Sequence, residues 1–190
     1  MAQIVKRGNP LGAQASRLLM LLWLMTSALS QPTGKLIRYE DSRISMACTY
    51  SIVAYGNDEQ TLKQAVTEAF DEVDRIDRLM SHYKPDSPLS QLNREAAKHP
   101  IKVERELWEF LLDCRNFSAL TNGAFDITVG PLMKAWGFFR GEGRMPTATE
   151  LARVRKVVGY RHLRFDLQNK TIRFDREGVE LDLGGIAKGY

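Results

Sequence analysis

The alternation of apolar and polar residues predicts strands towards both ends of the chain. Leu36 to Glu40 fits a first strand, and residues 44–55 fit a longer one. One face of that longer strand would carry Ile44, Met46, Cys48, Tyr50 and Ile52. Further along, residues 162–167 and 171–174 flank a polar turn and predict a hairpin. Residues 179–183 alternate again, which predicts one more half-buried strand.

Between these strands, apolar residues recur at steps of three and four, the spacing of an amphipathic helix. The first predicted helix follows a potential cap at Asp58. Its apolar positions are Leu62, Val66, Ala69, Val73, Ile76 and Met80. A second helix is predicted from Glu104 to Gly123, where the glycine suits the C′ position. The order of strands, helices and a final meander predicts an α+β fold, with mixed or antiparallel sheet layers packed against helices.

Residues 1–30 have the features of a secretory signal peptide. Lys6 and Arg7 precede an apolar run at residues 18–25, and Ala28 and Ser30 provide small residues for cleavage before residue 31. The run is shorter than the roughly 20 residues of an ordinary spanning helix, although an uncleaved anchor is the alternative. No cysteine lies near the cleavage position, so a lipid anchor is not supported. We therefore expect an exported protein whose residues 31–190 belong to a folded domain.

Composition and charge argue against a nucleic-acid-binding protein. Hydrophobic residues make up 44% of the chain and charged residues 26%, as in ordinary globular proteins. The formal net charge of +4 falls to +1 without residues 1–30, which contain three basic residues and no acid. The remaining lysines and arginines are dispersed among acids. They give the chain no electrostatic reason to bind nucleic acid.

The cysteines and histidines show no metal-ligand spacing. Cys48 and Cys114 lie in apolar patterns, and we expect each to be a small buried residue. A disulfide is the alternative, because export would permit one. His82, His99 and His162 fit surface or loop positions.

Residues 180–190 have the features of a phosphate-binding turn. Gly184 and Gly185 allow a tight turn and the close approach of a ligand. Residues 186–188 can begin a helix whose free N–H groups face an anion, and Lys188 adds a mobile positive charge. Such turns also occur simply to reverse the chain, so this stretch alone leaves both interpretations open.

Three earlier stretches contain residue types that suit a flavin nucleotide, namely Met46-Ala-Cys-Thr, residues 81–93 and Gly123-Ala-Phe-Asp. Tyr83 can stack on an aromatic ring. Asp126 can accept hydrogen bonds from ribose or ring N–H groups, and Met46 offers an adaptable apolar wall. Taken singly, each also has an ordinary interpretation: a loop aromatic for Tyr83, a cap or turn acid for Asp126, and a core residue for Met46.

In combination and order, these motifs resemble those of the ApbE family, the FAD:protein FMN transferases. Met-x-x-Thr, Ser-x-Tyr, Gly-Ala-Phe-Asp, Trp-Gly-Phe and Asp-Leu-Gly-Gly-Ile-Ala-Lys-Gly-Tyr follow one another over residues 44–190. The resemblance implies an ApbE-like α+β fold in the bacterial periplasm or cell envelope. It also implies a Mg²⁺-dependent transfer of FMN from FAD to a Thr of an acceptor protein, such as an electron-transport subunit, with release of AMP.

The resemblance also implies site residues, although no catalytic residue is identified. The residues implied to contact FAD are Met46, Tyr83, Ala124, Phe125, Asp126, Asp182 and Lys188. The backbone around Gly185 is implied to approach Mg²⁺ and the pyrophosphate. Family members have Gly at the position of Ala47, and they continue beyond the motif that ends at Tyr190. Residues 31–190 are therefore expected to be the N-terminal part of a flavin transferase domain, incomplete at its C-terminus. FAD hydrolysis and flavin binding without catalysis are the alternative functions.

Overall fold

The computed structural model describes residues 35–190, in which two antiparallel sheets pack with five α-helices. One sheet is the hairpin of β1 (Ile37–Ser45) and β2 (Cys48–Gly56), and the other has the order β3-β5-β4. Its strands are β3 (Ile101–Lys102), β4 (Leu163–Asp166) and β5 (Thr171–Phe174). The helices are α1 (Glu59–Met80), α2 (Pro88–Glu95), α3 (Arg105–Leu120), α4 (Gly130–Ala135) and α5 (Ala148–Val154). This architecture confirms the α+β class, while the predicted signal peptide lies outside the described residues.

The predicted strand over residues 44–55 is wrong, because a two-residue turn at Met46 and Ala47 divides it. Both residues have left-handed backbone, with φ of 49° and 58°, as a tight hairpin turn of the type I′ class requires. Such turns usually contain Asn-Gly, so Met-Ala gives no signal for one. Ser45 pairs with Cys48, and this register turns Ile44 to the outer face, where it is 82% exposed. Ile44 and Met46 therefore do not share a strand face with Cys48.

Helix α1 packs against both strands of the hairpin. Asp58 caps it as predicted, accepting a hydrogen bond from the backbone N–H of Thr61 at 2.7 Å. The buried residues of α1 are Leu62, Val66, Phe70, Ile76, Leu79 and Met80. Ala69 was predicted for this face but is exposed, because the larger Phe70 fills the core position in that turn.

Helix α3 ends one residue earlier than the sequence suggests. The left-handed residue after its cap is Asn122, with φ of 52°, and the Gly123 N–H donates to the Ser118 carbonyl at 2.8 Å. This is the Schellman arrangement, in which Asn122 occupies C′ and Gly123 occupies C″. The prediction of Gly123 at C′ is therefore wrong by one position, because Asn also tolerates the left-handed conformation.

The core lies between α1, α2, α3 and the three-stranded sheet, and the last extended segment of the chain completes it. Val179, Leu181 and Leu183 alternate as predicted and are almost fully buried. The segment is nevertheless not a regular strand, because its only ladder contact among the described residues is a parallel bridge between Glu180 and Val129.

A side chain provides the hydrogen bonds that a neighbouring strand would otherwise supply. The Asn93 amide donates to the Leu181 carbonyl at 3.0 Å and accepts from the Leu181 N–H at 2.8 Å. On the other side, the Gly130 N–H donates to the Glu180 carbonyl at 3.2 Å. A Cβ at Gly130 would lie 2.8 Å from that carbonyl oxygen, so only glycine fits this approach. The two contacts hold the segment from both sides.

Both cysteine thiols are free, so the disulfide alternative is wrong. Cys114 is fully buried in α3, and burial raises the pKa of its thiol to about 12. Cys48 is only partly buried, at the start of β2. None of the helices within residues 35–190 is long and apolar enough to cross a membrane.

We expect the two thiols to differ in reactivity. In the native protein an aromatic disulfide reagent at neutral pH should modify Cys48 alone, since Cys114 is both buried and protonated. Cys48→Ser should leave no reactive native thiol, and unfolding in guanidinium should expose Cys114 in that variant. Rapid native modification of Cys114 would contradict the packing of α3.

Replacing Asn93 should destabilise the fold. Asn93→Ala would leave the buried N–H and C=O of Leu181 unpaired, at a cost of about 1–3 kcal/mol for each group. Gln91→Ala, on the exposed side of the same helix, should change the free energy of unfolding by less than about 0.5 kcal/mol. Urea unfolding of both variants measures this difference, and equal stabilities would show that Asn93 does not hold the segment.

Candidate functional site

A cavity of about 700 Å³ lies between the loop after α3, the loop before β4 and the turn after Leu183. Its walls include five of the residues singled out from the sequence. These are Ala124, Phe125, Asp126, Asp182 and Gly185. Two of the stretches singled out from the sequence, residues 123–126 and 180–190, therefore meet at one concave surface, together with the loop before β4, which the sequence did not single out.

A smaller cavity of about 50 Å³ adjoins the same turn. It is lined by the other three predicted residues, Met46, Tyr83 and Lys188. Asp182 and Gly185 face the larger cavity, whereas Gly184 and Lys188 line the smaller one. The turn over residues 182–188 thus borders both cavities and brings all eight predicted residues to one region. Their contact with FAD stays a prediction.

Asp126 already uses both carboxylate oxygens within the protein. Its Oδ1 accepts from the N–H and hydroxyl of Thr128 at 2.8 and 2.7 Å, and its Oδ2 accepts from the Tyr160 N–H at 2.6 Å. The Thr128 hydroxyl in turn accepts from the Gly159 N–H at 2.7 Å. The ordinary interpretation of Asp126 as a turn acid is therefore confirmed, and the same bonds join two cavity walls. Sequence reasoning missed Thr128, although Asp-x-Thr spacing is typical of such a turn.

The serines of the second motif build the loop that carries Tyr83. The hydroxyls of Ser87 and Ser90 both donate to the Ser81 carbonyl, and Ser87 also caps α2 by accepting from the Ser90 N–H at 3.0 Å. All three serines are buried. Their presence in the motif is explained by these internal hydrogen bonds, without any ligand. The interpretation that all polar residues of this motif suit a nucleotide therefore includes residues with a purely structural role.

Tyr83 belongs to a cluster of three rings. Its centroid lies 3.9 Å from that of His82 and 4.9 Å from that of Phe139, and the Tyr83 and Phe139 rings are within 29° of parallel. Tyr83 remains 48% exposed, which leaves ring surface available for stacking. Burial raises the pKa of its phenol, so the hydroxyl is protonated at neutral pH. Phe139 directly follows the Trp-Gly-Phe motif, but it is not part of the motif and was therefore not predicted as a site residue.

Two of the three histidines are less exposed than predicted. The His82 side chain is only 12% exposed, and its Nε2 lies 3.5 Å from Asp182 Oδ2. His162 is also largely buried, with its Nδ1 2.9 Å from Asp175 Oδ1. His99 is exposed, as expected. Both residues lie in loop positions, as predicted, but neighbouring rings and carboxylates enclose them, which single-residue patterns do not reveal.

The turn after Leu183 lacks the helix that its sequence predicts. Only a three-residue 3₁₀ turn, Ala187–Gly189, follows the glycines, so no α-helix N-terminus forms there. Gly184 instead donates its N–H to Asp182 Oδ1 at 2.8 Å. A Cβ on Gly185 would meet no atom within 4 Å, so this backbone is open to a ligand. Lys188 is exposed at the end of the turn.

Metal-ligating side chains do not cluster in the part of the chain that the structure describes. Within residues 35–190, no group of three or more His, Cys, Asp or Glu side chains is placed to hold an ion. Mg²⁺ typically takes one or two carboxylates and completes its shell with water and substrate phosphates. The open backbone at Gly185, in the wall of the larger cavity, leaves room for an ion that is held in this way.

The chain is similar to known flavin transferases along most of its described length. The model of the ApbE family matches residues 46–190. The FAD:protein FMN transferase of Chlamydia pneumoniae is 31% identical over 172 residues, which cover 90% of this chain and 54% of that protein. The enzyme of the same name from Vibrio cholerae is 35% identical over 136 residues, covering 70% of this chain and 39% of that protein.

Solved structures show the same similarity. The ApbE protein of Thermotoga maritima superposes with a TM-score of 0.71 at 30% identity, covering 81% of this chain and 50% of that one. The flavin transferase ApbE of Vibrio cholerae gives a TM-score of 0.70 at 31% identity, covering 82% and 50%. The chain thus spans about half the length of these proteins. These matches confirm the resemblance found in the motifs, and the chain belongs to the ApbE family.

Proposed function

We propose that the protein transfers FMN from FAD to a Thr of an acceptor protein and releases AMP. The observation that carries this proposal is that all eight site residues implied by the resemblance line two cavities along one turn. The names of the relatives, FAD:protein FMN transferases, support the same reaction. In this reaction the Thr oxygen bonds to the phosphorus of the FMN half and loses its proton. The bond between that phosphorus and the oxygen of AMP breaks.

The residues of this chain would bind and orient FAD. Such a transfer depends on alignment and charge neutralisation more than on covalent help from the protein. Lys188 is exposed beside Gly184 and can place its ammonium group near a phosphate. Tyr83 offers an exposed ring face for stacking, and Met46 lines the same cavity with apolar surface.

We further propose that the transfer requires Mg²⁺. The backbone at Gly185 would approach the ion, and the substrate phosphates and water would supply most of its coordination shell. Bound there, the ion would offset negative charge that develops on the phosphates. The open space around Gly185 supports this assignment, because no side chain obstructs the backbone.

Export to the bacterial periplasm or cell envelope is part of the same proposal. Its support is the order of basic, apolar and small residues within residues 1–30. The acceptor would then be a protein that presents a Thr on the same side of the membrane, such as an electron-transport subunit.

Purified protein, FAD, Mg²⁺ and an acceptor with an exposed Thr should yield covalent flavin, visible by in-gel fluorescence. Lys188→Ala should lower kcat/KM roughly tenfold to a hundredfold, the effect of losing one charge-assisted hydrogen bond. Lys170→Ala, at the remote β4–β5 turn, is the matched control and should have no effect. Chelation by EDTA should stop transfer.

The same assay separates the alternative functions. AMP release without any acceptor would indicate a hydrolase, and FAD binding without turnover would indicate a flavin-binding protein. Absence of covalent flavin, with a family member active in parallel, would reject the transferase proposal.

Asp126 should matter for both stability and flavin binding. Asp126→Ala removes the bonds that join the two cavity walls, so we expect FAD affinity to fall at least about tenfold and stability to fall by about 1–3 kcal/mol. Asp166→Ala removes a similar set of turn bonds from the exposed β4–β5 hairpin and should leave FAD affinity unchanged. Fluorescence titration compares the two, and equal affinities would remove Asp126 from the site.

A further inference from the structure

His82 presents a buried nitrogen that has no hydrogen-bond partner within the described part of the chain. Its Nε2 is shielded from solvent and lies 3.5 Å from Asp182 Oδ2, just beyond good hydrogen-bond distance. Asp182 is also buried, with 5% of its side chain exposed. A buried polar atom without a partner is costly, so its presence at a cavity wall requires an explanation.

The surroundings of His82 hold the ring in place. The Tyr83 ring lies 3.9 Å away on one side and the Phe139 ring lies 5.5 Å away, so the imidazole is fixed among aromatic neighbours. The charged groups that act on it are Asp182, Glu180 and Lys134. Burial lowers the pKa of His82 below its ordinary value, and this effect outweighs the attraction of Asp182 for a proton. The imidazole is therefore neutral at neutral pH.

A neutral imidazole carries its proton on one nitrogen only. Beside a carboxylate, the favourable tautomer places the proton on Nε2, where it can point at Asp182 Oδ2. The other oxygen of Asp182 already accepts from the Gly184 N–H at 2.8 Å. The carboxylate is then held from both oxygens, and Asp182 lies in the wall of the larger cavity.

We propose that His82 is a positioning residue that holds the Asp182 carboxylate in the orientation used to bind the flavin nucleotide. A small closure of the 3.5 Å gap when the nucleotide binds would convert the contact into a full hydrogen bond. His82 lines the smaller cavity together with Tyr83 and Lys188. A nucleotide that drew the walls of this cavity together would therefore also move His82 towards Asp182. The affinity part of this inference rests on the flavin-transfer function proposed above.

Substitutions that separate shape from hydrogen bonding test the proposal. His82→Phe keeps an aromatic ring but removes the donor, and FAD affinity should fall about tenfold. His82→Gln places an amide N–H near the position of Nε2 and should restore affinity to within about threefold of the wild type. His99→Phe, at the exposed histidine, is the control and should bind FAD like the wild type. Fluorescence titration gives the affinities, and thermal unfolding checks that each variant is folded.

A double-mutant cycle identifies the partner. In an Asp182→Ala background, His82→Phe should weaken FAD binding by less than about threefold, because the carboxylate that His82 holds is absent. An equal tenfold loss in both backgrounds, or wild-type affinity of His82→Phe, would overturn the proposal.

Long-range ¹⁵N–¹H NMR of the histidine rings gives a readout that needs no flavin. The wild-type spectrum should show His82 with its proton on Nε2, and Asp182→Ala should change that signature. A proton on Nδ1, or an unchanged spectrum in Asp182→Ala, would reject the pairing. If the wild type fails to bind FAD, the function proposed above fails, while the NMR result still decides whether His82 and Asp182 are paired.

Discussion

The pairing of the Asn93 amide with the Leu181 backbone is the interaction on which the cavities depend. It replaces a strand neighbour with a single side chain, and it leaves the residues after Leu181 free to turn. Gly130 allows the backbone to approach from the other side. Because Leu181 and Leu183 are anchored in the core, the polar residues between and after them are held at fixed positions. A regular sheet at this place would have buried the same backbone groups in a ladder.

Much of the fold can be predicted from the periodicity of apolar residues. The predictions fail where one local pattern is compatible with two structures. Helix α1 and its cap at Asp58 were predictable, because the apolar spacing and the capping residue agree. The turn at Met46 and Ala47 was not, because neither residue favours a left-handed backbone and both strands continue the same alternation. The hairpin also packs against α1, and single-sequence patterns contain no information about that contact.

The candidate site shows a different division. The order of the motifs identified eight residues that line two cavities. It could not distinguish residues that contact a ligand from residues that hold the loops in place by hydrogen bonds. Ser87, Ser90 and Asn93 bond to the backbone, and Asp126 does so with both of its oxygens. The burial of His82 depends on Phe139 and Asp182, which are distant in sequence and become neighbours only after folding. A family motif therefore contains residues that maintain the structure of a site as well as residues that could take part in its chemistry.

The distance along the chain between Asn93 and Leu181 has a consequence for how the site arises. The two partners are 88 residues apart, so their contact closes a long loop and belongs to the non-local contacts that form slowly. Both cavities take walls from residues 182–188. During synthesis, residues 182–188 must therefore emerge from the ribosome before either cavity can exist, and the helices that precede them can fold first. Formation of both cavities is therefore a later step than formation of the helices that precede residues 182–188 in the chain.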